Sequence, residues 1–221
     1  MRAYFYGRLT IFRKSYIIIE YDLSGVKMKI CVFGAASAHI DGIYIDRVEE
    51  LCEKLAKRGH SLVFGAGGTG LMGAAARGFK RGGGHIHGVI PGFFRDEGVE
   101  LIYDGCDEIT FTENMSERKR IMEDTADAFI IAPGGIGTFE EYFEVLTLKQ
   151  LGRHDKAIAI YNIEDYYDDL EKFMQTVAER KFMTFKCGEM YEYFKDADKI
   201  IDYLENYKPK GSPWQKMKIG D

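Results

Sequence analysis

The stretch Ala128-Phe129-Ile130-Ile131-Ala132-Pro133-Gly134-Gly135-Ile136-Gly137-Thr138-Phe139-Glu140-Glu141 decides how this chain is read. The apolar run over 128–132 predicts a buried strand, ended by Pro133-Gly134-Gly135. The residues from 138 to 151 then predict a helix. Three glycines let the backbone fold closely around a ligand. Thr138 reads as a helix N-cap, with the free amides behind it facing outward. A helix N-terminus favours an anion, and a ribose 5′-phosphate is a good candidate. A second reading stays open: Thr138-x-x-Glu141 also has the spacing of a capping box, in which Glu141 only satisfies the Thr138 amide. Against it, Glu140 and Glu141 sit awkwardly beside an anion site. A carboxylate kept there suggests a role, such as binding ribose hydroxyls or stabilising a developing cation.

On either side, apolar runs alternate with amphipathic stretches. Strands are predicted over 29–34, 61–64, 87–90, 108–112 and 157–161, and helices over 43–58, 115–125, 164–180 and 197–206. A small-residue helix runs through Ala74-Ala75-Ala76. Gly59 ends the helix before it at C′, and Pro91 stops the third strand. The alternation predicts an α/β fold: a doubly wound, Rossmann-like parallel sheet with helices on both faces, in a single domain over 28–206. Ligands bind such sheets at the carboxyl ends of the strands. Residues 207–221 read as a polar tail. Residues 1–27 read as an extension outside the working protein, because Met28 directly precedes the first core strand and is the expected natural start.

The 221 residues suffice for one substantial core, and 46% hydrophobic with 29% charged residues argues against long disorder. A net charge of −5 gives no global basic field, so nucleic acid is not an expected partner. No apolar run is long enough to span a bilayer, so neither is a membrane. Cys31, Cys52, Cys106 and Cys187 show no metal-ligand spacing and read as reduced thiols of a cytoplasmic protein.

Gly65-Ala66-Gly67-Gly68-Thr69-Gly70 matches the G-x-G-x-x-G dinucleotide fingerprint between a strand and a helix. The turn follows the second strand, however, and the next strand ends Gly88-Val89-Ile90-Pro91, without the acid that would hold ribose hydroxyls. A tight turn with close helix–sheet packing, or a nucleotide held at exposed amides, remain as readings. Met115-Ser116-Glu117-Arg118-Lys119-Arg120 is either a solvated charged helix or one whose Arg118 turns inward to clamp phosphate or orient a carboxylate.

Taken together, these segments resemble the LOG ("lonely guy") family of cytokinin-activating nucleoside 5′-monophosphate phosphoribohydrolases, proteins often called possible lysine decarboxylases. Pro133 to Glu141 resembles the family's PGGxGTxxE, Met115 to Lys119 its M-x-E-R-K, and Gly65 to Gly73 its GGGxxGLMG. Gly88-Val89-Ile90-Pro91 and Gln150-Leu151-Gly152 also fit. The resemblance implies Arg118 and Glu141 as the catalytic pair and Gly134, Gly135, Gly137 and Thr138 as the phosphate cradle. It places Lys119, Met115 and Ser37 beside the nucleotide. It also implies a homodimer and a purine nucleoside 5′-monophosphate substrate, AMP or an N6-substituted AMP. This sequence departs from the pattern at Gly34-Ala35-Ala36-Ser37, which keeps only the serine of the family's first turn, at Ala66 in place of a glycine, and at Leu148 in place of a tryptophan.

The chemistry expected is hydrolysis of the N-glycosidic bond through an oxocarbenium-like ribose. Glu141 stabilises the cation or activates water, and Arg118 holds Glu141 and substrate in register. That route needs no metal or redox cofactor. A non-catalytic nucleotide carrier of the same fold is the alternative. A decarboxylase would need a pyridoxal-phosphate lysine, and no lysine has an evident setting for one.

Overall fold

In the computed structural model, residues 27–97, 101–183 and 189–211 are described, apart from the side chains of 95–97. All but the last residue of the expected 1–27 extension, Cys187 and the tail beyond Gly211 lie outside the described residues.

Strands β1 (Lys29–Phe33), β2 (Ser61–Phe64), β3 (Ile86–Pro91), β4 (Glu108–Thr112), β5 (Ala128–Ile131), β6 (Ala157–Tyr161) and β7 (Glu192–Phe194) form one sheet in the order β4-β3-β2-β1-β5-β6-β7. Every pairing is parallel. The chain builds outward from β1 to β4, then returns to the other side of β1 to lay down β5. The order therefore reverses between β1 and β5, where Cys31 pairs with Phe129 and Phe33 with Ile131. A crevice at the carboxyl ends of these two strands is the place where such sheets take ligands.

Central strands are covered on both faces, which is why β5 and β6 read as unbroken apolar runs with every residue buried. Ile30, Val32, Leu62, Phe64, Ile130 and Ala159 face helices α1 (Gly42–Lys57), α2 (Gly70–Gly82) and α7 (Ala197–Glu205). The alternate residues Cys31, Phe33, Val63, Phe129, Ile131 and Ile158 face α4 (Met115–Thr125), α5 (Ile136–Gln150) and α6 (Asp168–Glu179). Each fully buried Leu or Ile in these layers contributes roughly 1.5–3 kcal/mol of transfer free energy.

Gly59, at φ +88°, follows the C-cap Arg58 as expected. Two elements had no clear local signal. The edge strand β7 has three half-buried residues, too few to show a period. The six-residue helix α3 (Gly92–Glu97) follows β3 directly. The predicted helix over 164–180 is broken: a 3-10 turn at Ile163–Asp165 precedes α6, with Glu164 and Asp165 both at positive φ. Among the described residues, no helix is long and apolar enough to cross a membrane.

Candidate active site

The loop after β5 opens onto the crevice. Helix α5 begins at Ile136 with Gly135 as its N-cap, so Thr138 is not the cap that the sequence suggested. The capping box falls with it. Thr138 lies inside the first turn and is 4% exposed, with its side chain packed back against Gly134, where an added Cβ would overlap the hydroxyl. Glycine at 134 is thus required by close approach. Gly135, Ile136 and Gly137 are exposed, and a Cβ on Gly135 or Gly137 would meet nothing within 4 Å. The first-turn amides of Ile136, Gly137 and Thr138 have no carbonyl one turn back within the helix, so this end of α5 carries unpaired donors and positive potential toward open space.

Arg118 comes from α4, whose start is fixed by Asn114. The Asn114 side chain accepts from the Glu117 amide at 2.9 Å, and Glu117 Oε2 accepts from the Glu113 amide at 2.8 Å. That register turns Arg118 inward, where it is 5% exposed. Its Nε donates to the Val89 carbonyl and its Nη2 to the Gly65 carbonyl, each at 3.2 Å, and Nη1 lies 3.7 Å from Met115 Sδ. The guanidinium stands 5.8 Å from the Phe94 ring centroid. A Cβ on Gly65 would occupy the space of the guanidinium. The first glycine-rich turn is therefore the seat of Arg118. It is also covered by protein: Gly68 N donates to the Leu101 carbonyl at 2.6 Å and Tyr103 N to the Ala66 carbonyl at 2.8 Å. A pyrophosphate reading of that turn has no free Gly68 amide to use.

Glu141 lies on the second turn of α5, partly buried. The described hydrogen bonds of Arg118 go to two backbone carbonyls and a thioether. Helices α4 and α5, which carry Arg118 and Glu141, cover the same face of the sheet. Burial pushes the Cys31 thiol on that face of β1 well up from its ordinary value, the Glu141 and Glu123 carboxylates push it further, and Arg118 and Lys156 oppose.

Lys119 turns the other way. It is paired with Glu140 and, at 2.6 Å, with Glu144, both on α5. Burial would lower its pKa, but these two carboxylates outweigh burial and the net shift is upward. One cation shared by two carboxylates offsets part of the negative charge that Glu140 brings to the helix N-terminus. Glu123, next to this cluster, is raised to about 7, by burial first and by Glu144 second, with Lys119 opposing.

Between the β1 and β5 loops lies a cavity of about 250 Å³ lined by Ala35, Ser37, Tyr44, Gly134, Gly135 and Tyr166 among others. Ser37 is exposed and its Oγ accepts from the His39 amide at 3.2 Å. Gly134, Gly135 and Ser37 therefore meet at one cavity; Met115 meets Arg118 but not that cavity; Lys119 meets neither. Sequence reasoning missed Asn114, Tyr166 and the part that Gly65 plays as the seat of Arg118. Asn114-x-x-Glu117 was a visible capping signal. Nothing local tied Gly65 to Arg118 or Tyr166 to Gly134, partners 53 and 32 positions apart. Among the described residues, no three His, Cys, Asp or Glu side chains group as metal ligands.

Residues 72–204 match the family model described as "Possible lysine decarboxylase". The cytokinin riboside 5′-monophosphate phosphoribohydrolases LOG2 and LOG1 of Arabidopsis thaliana are 33% and 35% identical to the chain. The alignments cover 87% of this chain in each case, and 90% and 92% of those proteins. Among solved structures, the molybdenum cofactor carrier protein of Chlamydomonas reinhardtii superposes with a TM-score of 0.63 at 22% identity, over 81% of this chain and 97% of that one. The molybdenum cofactor binding protein of Rippkaea orientalis gives 0.62 at 19%, over 81% and 96%. At these identities the two structures establish the shared fold.

Proposed function

The chain belongs to the LOG family, and from that premise we propose that it hydrolyses the N-glycosidic bond of a purine nucleoside 5′-monophosphate, AMP or an N6-substituted AMP, to free base and ribose 5-phosphate. One observation carries the reading: an open helix N-terminus with a carboxylate one turn further in, and a buried guanidinium on the neighbouring helix that covers the same face of the sheet. The amides of α5 take the 5′-phosphate. The apolar cavity between Tyr44, Tyr166 and the Gly134-Gly135 turn takes an uncharged part of the nucleotide.

As the base leaves C1′, positive charge develops on the ribose. Glu141 stabilises that charge or takes a proton from the attacking water, and general-base help of this kind is worth about 10²–10⁴-fold. Among the described residues, three of the five N–H groups of Arg118 are engaged by protein, and the other two suit an anion. With these Arg118 fixes the substrate. Water protonates the departing purine.

Incubation of the protein with AMP and N6-substituted AMP, followed by chromatography for free base, tests this directly. Glu141→Gln is expected to lower base release at least about 10²-fold while nucleotide binding stays within a few-fold. Undiminished turnover would remove Glu141 from the mechanism. A wild-type protein that retains nucleotide and releases no base would favour the carrier alternative. A homodimer completes the proposal: α5 presents Ile136, 88% exposed, and Phe143 as apolar contacts, while α1 offers Ile43. Light scattering is expected to read twice the chain mass, and a monomer at working concentration would refute the dimer.

A further inference from the structure

Three consecutive carbonyls hold the loop after β5. The Ala132 carbonyl accepts from the Tyr167 hydroxyl at 2.8 Å, the Pro133 carbonyl from the Ala35 amide at 3.0 Å, and the Gly134 carbonyl from the Tyr166 hydroxyl at 2.7 Å. In a trans peptide the C=O of one residue and the N–H of the next point in opposite directions. Tying the Pro133 and Gly134 carbonyls to the scaffold therefore turns the Gly134 and Gly135 amides away from it. Successive amides aimed this way form an anion-binding concavity.

The two tyrosines are neighbours on one strap, and the strap is costly to make. Glu164 and Asp165 are non-glycine residues at φ +50° and +60°, a left-handed conformation that brings Cβ close to the following carbonyl oxygen. Asn162, 2% exposed, pays out both ends of its amide to hold the bend: its Oδ1 accepts from the Tyr167 amide and its Nδ2 donates to Asp168 Oδ1, both at 2.7 Å. Asp165 is paired with Lys195. The bend sets Tyr166 edge-on against Tyr167, with ring centroids 4.9 Å apart, so that two adjacent hydroxyls reach two carbonyls of the same turn. Backbone strain that persists inside an over-determined network is a mark of function.

We infer that Tyr166 is a positioning residue that sets the direction of the Gly135 amide and so tunes affinity for the phosphate of the substrate, whereas Tyr167, whose acceptor carbonyl precedes a proline without an N–H, anchors the strap itself. The inference rests on the reading that this loop holds a 5′-phosphate. Tyr167 is buried, whereas Tyr166 is 44% exposed, so Tyr166 can lose its hydroxyl without leaving a sealed cavity.

The test compares three probes on wild type, Tyr166→Phe and Tyr167→Phe: AMP, adenosine and inorganic phosphate, with KM and kcat for AMP measured separately. Tyr166→Phe is expected to weaken AMP and phosphate binding roughly five- to tenfold, the worth of one hydrogen bond, and Tyr167→Phe to weaken them less. Adenosine is expected to lose less affinity than AMP and phosphate do, and the loss for AMP to fall on KM more than on kcat. Tyr166→Leu, which also removes the ring from the cavity wall, should weaken adenosine as well. Equal weakening of AMP and adenosine by Tyr166→Phe, or AMP affinity within twofold of wild type, overturns the positioning role. If Tyr167→Phe fails to fold, Tyr166→Phe alone decides. A wild-type protein in which phosphate does not compete with AMP refutes the phosphate reading itself, a result distinct from an unaffected variant.

Discussion

At Gly65, Gly70 and Gly73 an added methyl group would run into atoms already in place: the Arg118 guanidinium, the Ala35 carbonyl and the Gly68 carbonyl. At Gly135 and Gly137 it would meet nothing within 4 Å. The two glycine-rich turns look alike in sequence and sit at equivalent ends of the two strands that flank β1. Glycine serves the first because protein fills the space where a side chain would be. It serves the second by leaving backbone amides bare toward the crevice. A glycine fingerprint therefore says that atoms come close to the backbone without saying whether they belong to the protein or to a ligand.

The largest expected effect separates the turns by stability. Gly70 sits at φ +58° with the Ala35, Ala36 and Ser37 backbone across its missing side chain. Gly70→Ala is expected to cost about 3 kcal/mol or more, since both the left-handed conformation and a backbone contact oppose the methyl. Gly137→Ala lies in the first turn of a helix facing open space and is expected to gain up to about 1 kcal/mol. Urea midpoints read both. Similar losses from the two variants would erase the distinction between a filled and an open turn.

Next comes the seat of Arg118. Gly65→Ala displaces the guanidinium from the Gly65 and Val89 carbonyls and is expected to lower kcat/KM about 100-fold, equivalent to about 2.7 kcal/mol of transition-state stabilisation. Gly137→Ala should act on KM alone. If Gly65→Ala keeps full activity, Arg118 is a structural cation only, and the first turn has no part in the chemistry.

This contrast also explains how far the sequence could be read. Sheet class and nearly every helix and strand were legible, because buried central strands such as Ala157–Tyr161 must be apolar throughout and α1 must carry one apolar stripe. The open glycine turn was legible because its residues adjoin in sequence. The role of Thr138 was misread because a helix start one turn earlier leaves the local pattern unchanged; only the open amides at Gly135 to Gly137 distinguish the two. The seat of Arg118 and the tyrosine strap were illegible for a different reason. Each joins residues that become neighbours only when parallel strands are laid side by side, and a single sequence carries no period for that.

Ala66 sharpens the comparison at its finest scale. It stands at φ +63°, fully buried, where a glycine would be free of strain, so the family's glycine would be expected to stabilise the turn. Left-handed backbone costs a non-glycine residue roughly 1–2 kcal/mol. Two terms oppose its removal: the buried methyl is worth about 0.8 kcal/mol, and glycine adds unfolded-chain entropy worth about 0.4–1 kcal/mol. Ala66→Gly is therefore expected to shift stability by less than about 0.5 kcal/mol, and to leave KM unchanged because the residue has no exposed surface to offer a ligand. A gain well above 1 kcal/mol would mean that the methyl packs poorly against Gly88 and that the filled turn is less filled than the geometry indicates. A change in KM would mean that the seat of Arg118 responds to strain one residue away, and the two turns would then have to be treated as one coupled site.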